Sequence, residues 1–321
     1  MATAEDTAKQ PQHEPGTIDL GGDITLLVGR EDAQVGLLVS KPLLSLVSKY
    51  FTTLFSATFK EGGDAATGKP IKLEDDDPKA VITLCKILHM QYEPSGVSLT
   101  SNELLDLAIV ADKYDCVKPL ALSLRSIFPD TGIYRAPFID DANLVCASYL
   151  LDHPSLFRRY TQAIVKDHTT SFKNLASSGM GQRLPMALWL KLESKRAKIL
   201  VGITASLTSN MVGHCPYPWR CLRARAITTA QAINMVEAGL LPLNIRSESI
   251  STVLEKMAKL KPVHDVSGAR ACTGGCPTTK LEAQTSYDDL RAQYDTECTG
   301  LCLDCVKAGG KNEGKCRIEH A

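Results

Sequence analysis

The densest run of apolar positions in the chain lies between residues 35 and 61. Residues 35–39 are almost all apolar over the length of a strand, which predicts a buried β-strand. Ser40 is a suitable N-cap and Pro42 fits the first turn of the helix that follows. The next apolar residues recur at spacings of three and four, so we expect them to share one buried helix face: Leu43, Leu46, Val47 and Tyr50. Further core residues are expected to follow: Phe51, Leu54, Phe55 and Phe59.

The same kind of pattern predicts the other elements of the first 130 residues. A strand with alternating apolar residues begins near Gly22 and forms a hairpin with the strand at 35–39. A third short strand, Ile71–Leu73, is followed by Asp77 and Pro78, which suit the start of a helix. Two helices are predicted from their apolar stripes, the first with Val81, Leu84, Cys85 and Leu88 and the second with Leu104, Leu107, Ala108 and Ala111. A last helix is predicted from about 117 to 128.

The remainder of the chain has helical periodicity as far as residue 261. Its longest predicted helix follows Pro185, and shorter helices are expected near 144–151, 156–164, 227–238 and 249–260. After Pro262 the periodicity is lost and the chain becomes rich in Gly, Thr and Cys. We therefore predict a disordered tail at 1–17, an α/β domain at 18–129, a helical domain at 139–261 and a cysteine-rich C-terminal segment at 262–321.

Charge and hydropathy narrow the choice of environment. The 36 basic and 36 acidic residues balance, so the whole chain gives no electrostatic reason to bind a membrane surface or nucleic acid. No apolar run approaches the length of a membrane span, and the polar N-terminus does not resemble a signal peptide, so we expect an intracellular protein of nucleus or cytoplasm. A locally basic stretch is interpreted mainly as a solvated helix face, and nucleic-acid binding is not expected: Lys191, Lys195, Arg196, Lys198, Arg220, Arg223 and Arg225.

Several motifs of the first 130 residues occur together in the order of a known family. They are Gly22-Asp23, Lys41 with Leu44, Ser48 and Phe51, the acidic strand end at 73–78, and Leu107-Ala-Ile-Val-Ala-Asp-Lys-Tyr114. In this arrangement the segment resembles a BTB/POZ domain, and the sequence at 87–90 resembles the fungal branch of that family. Ser40 departs from the pattern, since the family more often has His there. The resemblance covers about a third of the chain and implies an α/β BTB/POZ fold.

The resemblance implies a non-enzymatic protein–protein interaction scaffold. Phe59 and Glu61 fit the hydrophobic-x-Glu pattern by which some BTB domains contact a cullin, so a substrate adaptor of a cullin-based ubiquitin ligase is one alternative. A transcription- or chromatin-associated factor is another alternative, which the basic stretch and the cysteines favour. Homodimerisation through the BTB domain is left open. The sequence contains no recognisable catalytic motif, and we do not expect an enzyme.

Cysteine is concentrated in the second half of the chain. Eight of the eleven cysteines follow residue 210, and clustered cysteine in an intracellular chain indicates metal before disulfide. The short-spaced pairs Cys272–Cys276 and Cys302–Cys305 predict a structural zinc site, with disulfides or free thiols as alternatives. Other residues are further candidates as substitute ligands or as a second, weaker site: Cys298, Cys316, His264, His214, Cys215 and Cys221.

Overall fold

The computed structural model shows a mixed α/β protein with one small sheet and many helices. It describes residues 16–30, 32–56, 63, 68–93, 99–128, 136–176, 183–211, 221–261, 263, 286–310 and 315–319. The chain divides into two compact units, one of residues 1–133 with 147–153 and the other of residues 134–146 with 154–321. The predicted division into four segments is not the same partition, and it remains a prediction.

The first unit is built on a four-stranded sheet. Its strands are β1 Gly16–Thr17, β2 Ile24–Val28, β3 Val35–Val39 and β4 Ile71–Leu73. The order across the sheet is β1-β3-β2-β4, in which β2 and β3 form the predicted antiparallel hairpin and both outer pairings are parallel. The helices of this unit are α1 Lys41–Val47, α2 Lys49–Leu54, α3 Pro78–Leu88, α4 Ser101–Lys113, α5 Val117–Leu120 and α6 Leu124–Ile127.

The second unit is helical in its described residues. The helices are α7 Phe138–Leu150, whose last turn groups with the first unit, α8 Pro154–Asp167, α9 Lys173–Ala176, α10 Met186–Met211, α11 Leu222–Glu237, α12 Ile250–Met257, α13 Tyr287–Glu297 and α14 Leu303–Lys307. A 3₁₀ turn lies at Ile245–Ser247. Helix α8 packs against α10, α12 and α14, so it is the helix on which the C-terminal segment is assembled.

Helix starts that carry a local capping signal agree with the sequence. Ser40 accepts a hydrogen bond from the Leu43 amide at 3.4 Å, and Asp77 accepts one from the Ala80 amide at 2.8 Å. Thr100 and Glu103 form the predicted capping box, with both of its hydrogen bonds present. The stripes predicted for α3 and α4 are buried. These features depend only on residues within one turn of each other, which is why the sequence was sufficient to predict them.

The predicted buried face of the first helix is wrong. Leu46 is 85% exposed and Tyr50 is 40% exposed, whereas Leu44 is fully buried. The reason is Ser48, whose extended backbone ends α1 and starts α2. Because the chain leaves the helical conformation there, the spacing of three and four residues does not continue across it, and the apolar positions on the two sides face in different directions.

Three other predictions need correction. Gly16 and Thr17 are not part of a structureless tail, since they pair in parallel with β3. This pairing uses backbone hydrogen bonds, which a pattern of side chains does not predict. The predicted helix at 117–128 is two short helices, because 3₁₀-type bonds interrupt it between Leu120 and Ser123. Helices α13 and α14 lie where periodicity seemed lost, and in α13 only Leu290 and Tyr294 are buried, so the apolar signal is narrow.

A buried polar network joins separate parts of the first unit. Lys113 donates to both carboxylate oxygens of Asp76, at 2.8 and 2.9 Å, and the Tyr114 hydroxyl donates to the same carboxylate. Ser48 donates to the Tyr114 carbonyl at 2.5 Å, and the Phe51 ring stacks on the Tyr114 ring with centroids 5.0 Å apart. Burial and the Asp76 carboxylate raise the pKa of Tyr114 far above its usual range, so the hydroxyl remains a donor.

We expect Asp76 and Tyr114 to be energetically coupled. Asp76→Asn and Tyr114→Phe each remove part of one hydrogen-bonded cluster, so the double variant should differ from the sum of the single variants by about 0.5–3 kcal/mol in free energy of unfolding. Hydrogen exchange at the amides of α2 and α4 in the four proteins of the cycle measures this, because these amides report on the unfolding of the first unit. The same cycle with Asp76→Asn and Glu103→Gln, whose side chain bonds Thr100 instead, should be additive. Additivity in the first cycle as well would contradict the network.

Candidate metal centre

Three cysteines near the C-terminus lie close together in the second unit. The sulfurs of Cys302, Cys305 and Cys316 are all within 4.8 Å of one another, and within the described ranges this is the only such group of three or more potential metal ligands. The Cys305 and Cys316 sulfurs are 3.6 Å apart. Two sulfurs bound to one tetrahedral zinc at ~2.3 Å would be about 3.8 Å apart. The observed separation therefore suits two ligands of one ion.

The start of α14 places two of these sulfurs. Cys302 is the N-cap of α14 with an extended backbone, and Cys305 lies three residues later in the first turn. Leu303, between them, is fully buried and anchors the helix. The Cys-x-x-Cys spacing therefore brings both thiols to the N-terminal end of a helix whose orientation is set by an apolar contact.

A charged clamp brings the third cysteine to the other two. Asp304 accepts hydrogen bonds from the backbone amide of Arg317 at 2.7 Å and from its guanidinium nitrogens Nε at 2.9 Å and Nη2 at 2.6 Å. The Asp304 side chain is only 10% exposed. Three bonds from one residue to one carboxylate fix the segment 315–319 against the start of α14, and Cys316 is the neighbour of the residue that is held.

Residues 300–310 and 315–319 carry the three thiols and together form the cysteine segment. The backbone of this segment is attached to α8. The Leu301 amide donates to the Thr161 hydroxyl at 2.8 Å, and Arg158 donates through Nη1 to the Glu319 carbonyl at 2.8 Å. Gly300 lies so close to α8 that a Cβ at this position would be 1.6 Å from the Arg158 carbonyl oxygen. The two ends of the segment that carries the thiols are thus attached to the same turn of α8.

A cavity of about 210 Å³ opens beside the thiols. Its lining includes Cys302, Cys305, Ile318, Glu319 and Arg158. All three cysteines of the group are partly exposed. An ion could therefore reach the sulfurs from the solvent side.

The electrostatics of the group depend on whether a cation is bound. Burial, together with the hydrogen bonds and charges of Cys305 and Cys302, raises the pKa of the Cys316 thiol to about 12. The Cys316 thiol therefore stays protonated at neutral pH when no cation is bound. A divalent cation reverses this balance, because ligation requires the thiolate and a bound ion offsets the repulsion.

The other predicted ligands have different positions. Cys298 is fully buried at the C-terminal end of α13, where burial raises its pKa to about 11, and it is not a member of the group. Cys221 is the buried N-cap of α11 and its sulfur accepts from the Ala224 amide. The remaining ligand candidates lie outside the described residues: Cys272, Cys276, His264, His214 and Cys215. The predicted partner contacts Phe59 and Glu61 also lie outside them.

From the sequence, Cys302 and Cys305 are predicted as a pair of ligands and Cys316 only as a substitute ligand. The structure places Cys316 next to both, eleven residues after Cys305. The available signal was the use of Cys on both sides of a Gly-rich stretch of sequence, since 306–315 contains Gly309, Gly310 and Gly314. Turns of this composition bring their ends together readily.

One residue of the predicted basic stretch is not on the surface. Arg196 is 6% exposed, and its guanidinium donates to the carbonyls of His168 and Thr170 and to the Glu193 carboxylate. The guanidinium also lies 4.7 Å from the Phe172 ring centroid. Arg196 therefore fastens the loop before α9, and it cannot contribute to a surface that attracts an acidic partner.

Comparison with models of known protein families and with curated proteins found no match to this chain. Among the helices in the described ranges, none combines the length and the apolar content that a membrane-spanning segment needs.

Proposed function

We propose that this chain is a non-enzymatic protein–protein interaction scaffold in which residues 18–129 form a BTB/POZ domain. The observation that supports this most is that the motif residues on which the resemblance rests are in contact. Ser48, Phe51, Asp76, Lys113 and Tyr114 come from three separate motifs, and they form the buried polar network described above. Contact between motifs explains why they would occur together in one family.

Exposed apolar side chains supply a second reason. In the described part of the first unit, several large apolar residues are open to solvent, and two of them, Leu46 and Tyr50, lie near the junction of α1 and α2. Because the two face in different directions, each offers a separate apolar side chain that a protein partner could cover. The two residues are exposed because the helices separate at Ser48, so the exposure follows from the fold.

The scaffold proposal is tested by direct binding. Partners cross-linked to the full chain in cells would be purified and titrated against it. We expect at least one to bind stoichiometrically without chemical turnover, and Leu46→Glu to weaken it more than Leu122→Glu, an equally exposed control at 93%. Failure of every purified partner to bind the full chain, or turnover of a bound small molecule, would contradict the proposal.

The cullin-adaptor alternative has its own discriminating experiment. Phe59→Ala and Glu61→Ala should each abolish binding of a purified cullin N-terminal domain, while Lys60→Ala, the variable position between them, should leave it unchanged. If all three variants bind the cullin as the natural chain does, the motif is not the contact. Binding to DNA that falls steeply with salt would instead favour a chromatin-associated factor.

We also propose that the metal of the cysteine group is zinc and that its role is structural. Thiolates are soft ligands that suit zinc, and the sulfur separation matches a tetrahedral edge. The group joins α14 to the segment 315–319, both of which are fastened to α8. A metal at this position would hold the C-terminal segment on the second unit.

Purified, reduced full-length protein should contain about one equivalent of zinc. Chelation should increase hydrogen exchange in residues 298–310 and 315–319, because the thiols no longer hold these segments together. Cys302→Ala and Cys316→Ala should lose the metal, whereas Cys298→Ala, which alters a buried cysteine outside the group, should keep it. Less than about half an equivalent of zinc, with no effect of chelator on exchange, would contradict a zinc site.

A further inference from the structure

Two of the three thiols are in direct contact with each other. The sulfurs of Cys305 and Cys316 are 3.6 Å apart, and both residues are reduced. A disulfide has a sulfur–sulfur distance of about 2.0 Å, so the two atoms would have to approach by about 1.6 Å. An approach of this size lies within the reach of side-chain rotation, because each sulfur moves on an arc about its own Cα–Cβ bond.

The backbone on both sides of this pair is held by the Asp304–Arg317 clamp. Asp304 directly precedes Cys305, and Arg317 directly follows Cys316. The Asp304 carboxylate accepts three hydrogen bonds from Arg317, at 2.7, 2.9 and 2.6 Å. Cys302 lies one turn earlier, at the N-cap of α14, and adjoins neither clamp residue. The clamp therefore fixes Cys305 opposite Cys316 more directly than it fixes Cys302.

A small oxidant can reach the thiol of Cys305. This residue is partly exposed and lines the cavity of about 210 Å³. A water-sized molecule needs only roughly 10–15 Å³ of such a cavity, and hydrogen peroxide has just two heavy atoms. Cys298, by contrast, is fully buried and is not a member of the group. We therefore expect oxidation at the exposed thiols before the buried one.

We propose that hydrogen peroxide joins Cys305 and Cys316 in a reversible disulfide, and that this modification releases the zinc. The inference rests on the proposed zinc site. The Cys305 sulfur attacks one oxygen of the peroxide, the O–O bond breaks, and a sulfenic acid and one water are formed. The Cys316 sulfur then attacks the Cys305 sulfur, the S–O bond breaks, and the second oxygen leaves as water.

The reaction balances with peroxide as the oxidant. Each sulfur loses one electron, and the peroxide gains two electrons and two protons to become two waters. In the zinc-bound protein the sulfurs are thiolates, so these protons come from solvent and the ion leaves as the disulfide forms. Metal ligation needs a thiolate, which the disulfide sulfurs no longer are. Of the three sulfurs only that of Cys302 remains as a ligand, which is too few to retain zinc.

Peptide mapping of the oxidised full-length protein tests the disulfide. Zinc-loaded, reduced protein would be treated with an equimolar amount of hydrogen peroxide, and its remaining thiols would be blocked before digestion and mass spectrometry. Cys298, Cys302 and Cys305 share one tryptic peptide, 292–307, so fragment spectra must assign the sulfur that is linked to Cys316. We expect a Cys305–Cys316 link and release of about one equivalent of zinc to a chelating dye. A reductant should restore both thiols and zinc binding.

Matched variants identify the pair. Cys305→Ser and Cys316→Ser should each abolish the link, whereas Cys298→Ser should keep both the link and the zinc. Cys302→Ser should still form the link, because the third thiol takes no part in it. The mapping of the natural chain does not depend on any variant being folded.

The possible outcomes separate this inference from the zinc proposal. If the protein holds zinc but peroxide links Cys316 to another cysteine or leaves it reduced, the inference is overturned and the zinc site stands. Retention of zinc by protein with the Cys305–Cys316 link would overturn the release. If the protein holds no zinc and peroxide still joins Cys305 and Cys316, the zinc proposal fails and the disulfide stands without it.

Discussion

Phe51→Ala should destabilise the first unit by about 3–5 kcal/mol, the usual cost of emptying a buried aromatic site. Phe51 is 1% exposed, and its ring stacks on Phe55 and Tyr114 with centroids 5.6 and 5.0 Å apart. Its loss would leave a cavity and would also remove the contact that covers the buried polar network. Because the free energy of unfolding of a domain is only about 5–15 kcal/mol, the substitution would remove a large share of it.

Hydrogen exchange of the full-length protein is the suitable measurement. The chain has two compact units, so a whole-chain signal does not report one free energy of unfolding, whereas amides of α2 and α4 report on the first unit. Leu46→Ala is the matched control, since it shortens a neighbouring apolar side chain that is 85% exposed and should change stability by no more than about 0.5 kcal/mol. Equal protection in the two variants would show that Phe51 is not a core residue.

Gly300→Ala should detach the cysteine segment from α8. A Cβ at position 300 would be 1.6 Å from the Arg158 carbonyl oxygen and 2.5 Å from its carbon. Both atoms belong to the backbone of a helix, so no side chain can rotate away to make space. Overpacking typically lowers the free energy of unfolding by about 1–3 kcal/mol. Because the backbone of α8 cannot move aside, we expect an effect at or above the top of that range.

Gly310→Ala provides the control, because a Cβ there meets no atom within 4 Å. We expect Gly300→Ala to increase hydrogen exchange in residues 298–310 and to weaken zinc in a competition assay with a chelator, and Gly310→Ala to change neither. If Gly300→Ala binds zinc and exchanges as the natural chain does, the segment does not rest on α8 as described.

The sequence was sufficient wherever a structural feature depends on neighbours in the chain. Asp77 before Pro78 and the pair Thr100–Glu103 predicted helix starts because the bonds they make are local. Ser48 could not be recognised as a break, since its hydroxyl bonds the Tyr114 carbonyl 66 residues away. Helix α13 was missed because it buries only Leu290 and Tyr294. An apolar stripe of two residues is too weak a signal.

In the candidate metal site, too, the sequence predicts the part that depends on neighbouring residues and not the part that depends on distant contacts. Cys302 and Cys305 were recognisable as a pair because their spacing alone places two sulfurs on one turn. Cys316 was not identified as their partner, because its position depends on the Asp304–Arg317 clamp and on the attachment of both ends to α8. Contacts of this kind join residues that no short motif contains.

Ser48 also has a consequence for the order of events during synthesis. Its single hydroxyl proton goes to the Tyr114 carbonyl, while its oxygen accepts from the Phe51 amide at 3.1 Å. The ribosome reaches Tyr114 66 residues after Ser48, which takes roughly 3–13 s at about 5–20 residues per second. Through that interval the ring of Phe51 lacks its stacking partner Tyr114. The nascent chain thus presents an aromatic cluster to chaperones for seconds before the fold can cover it.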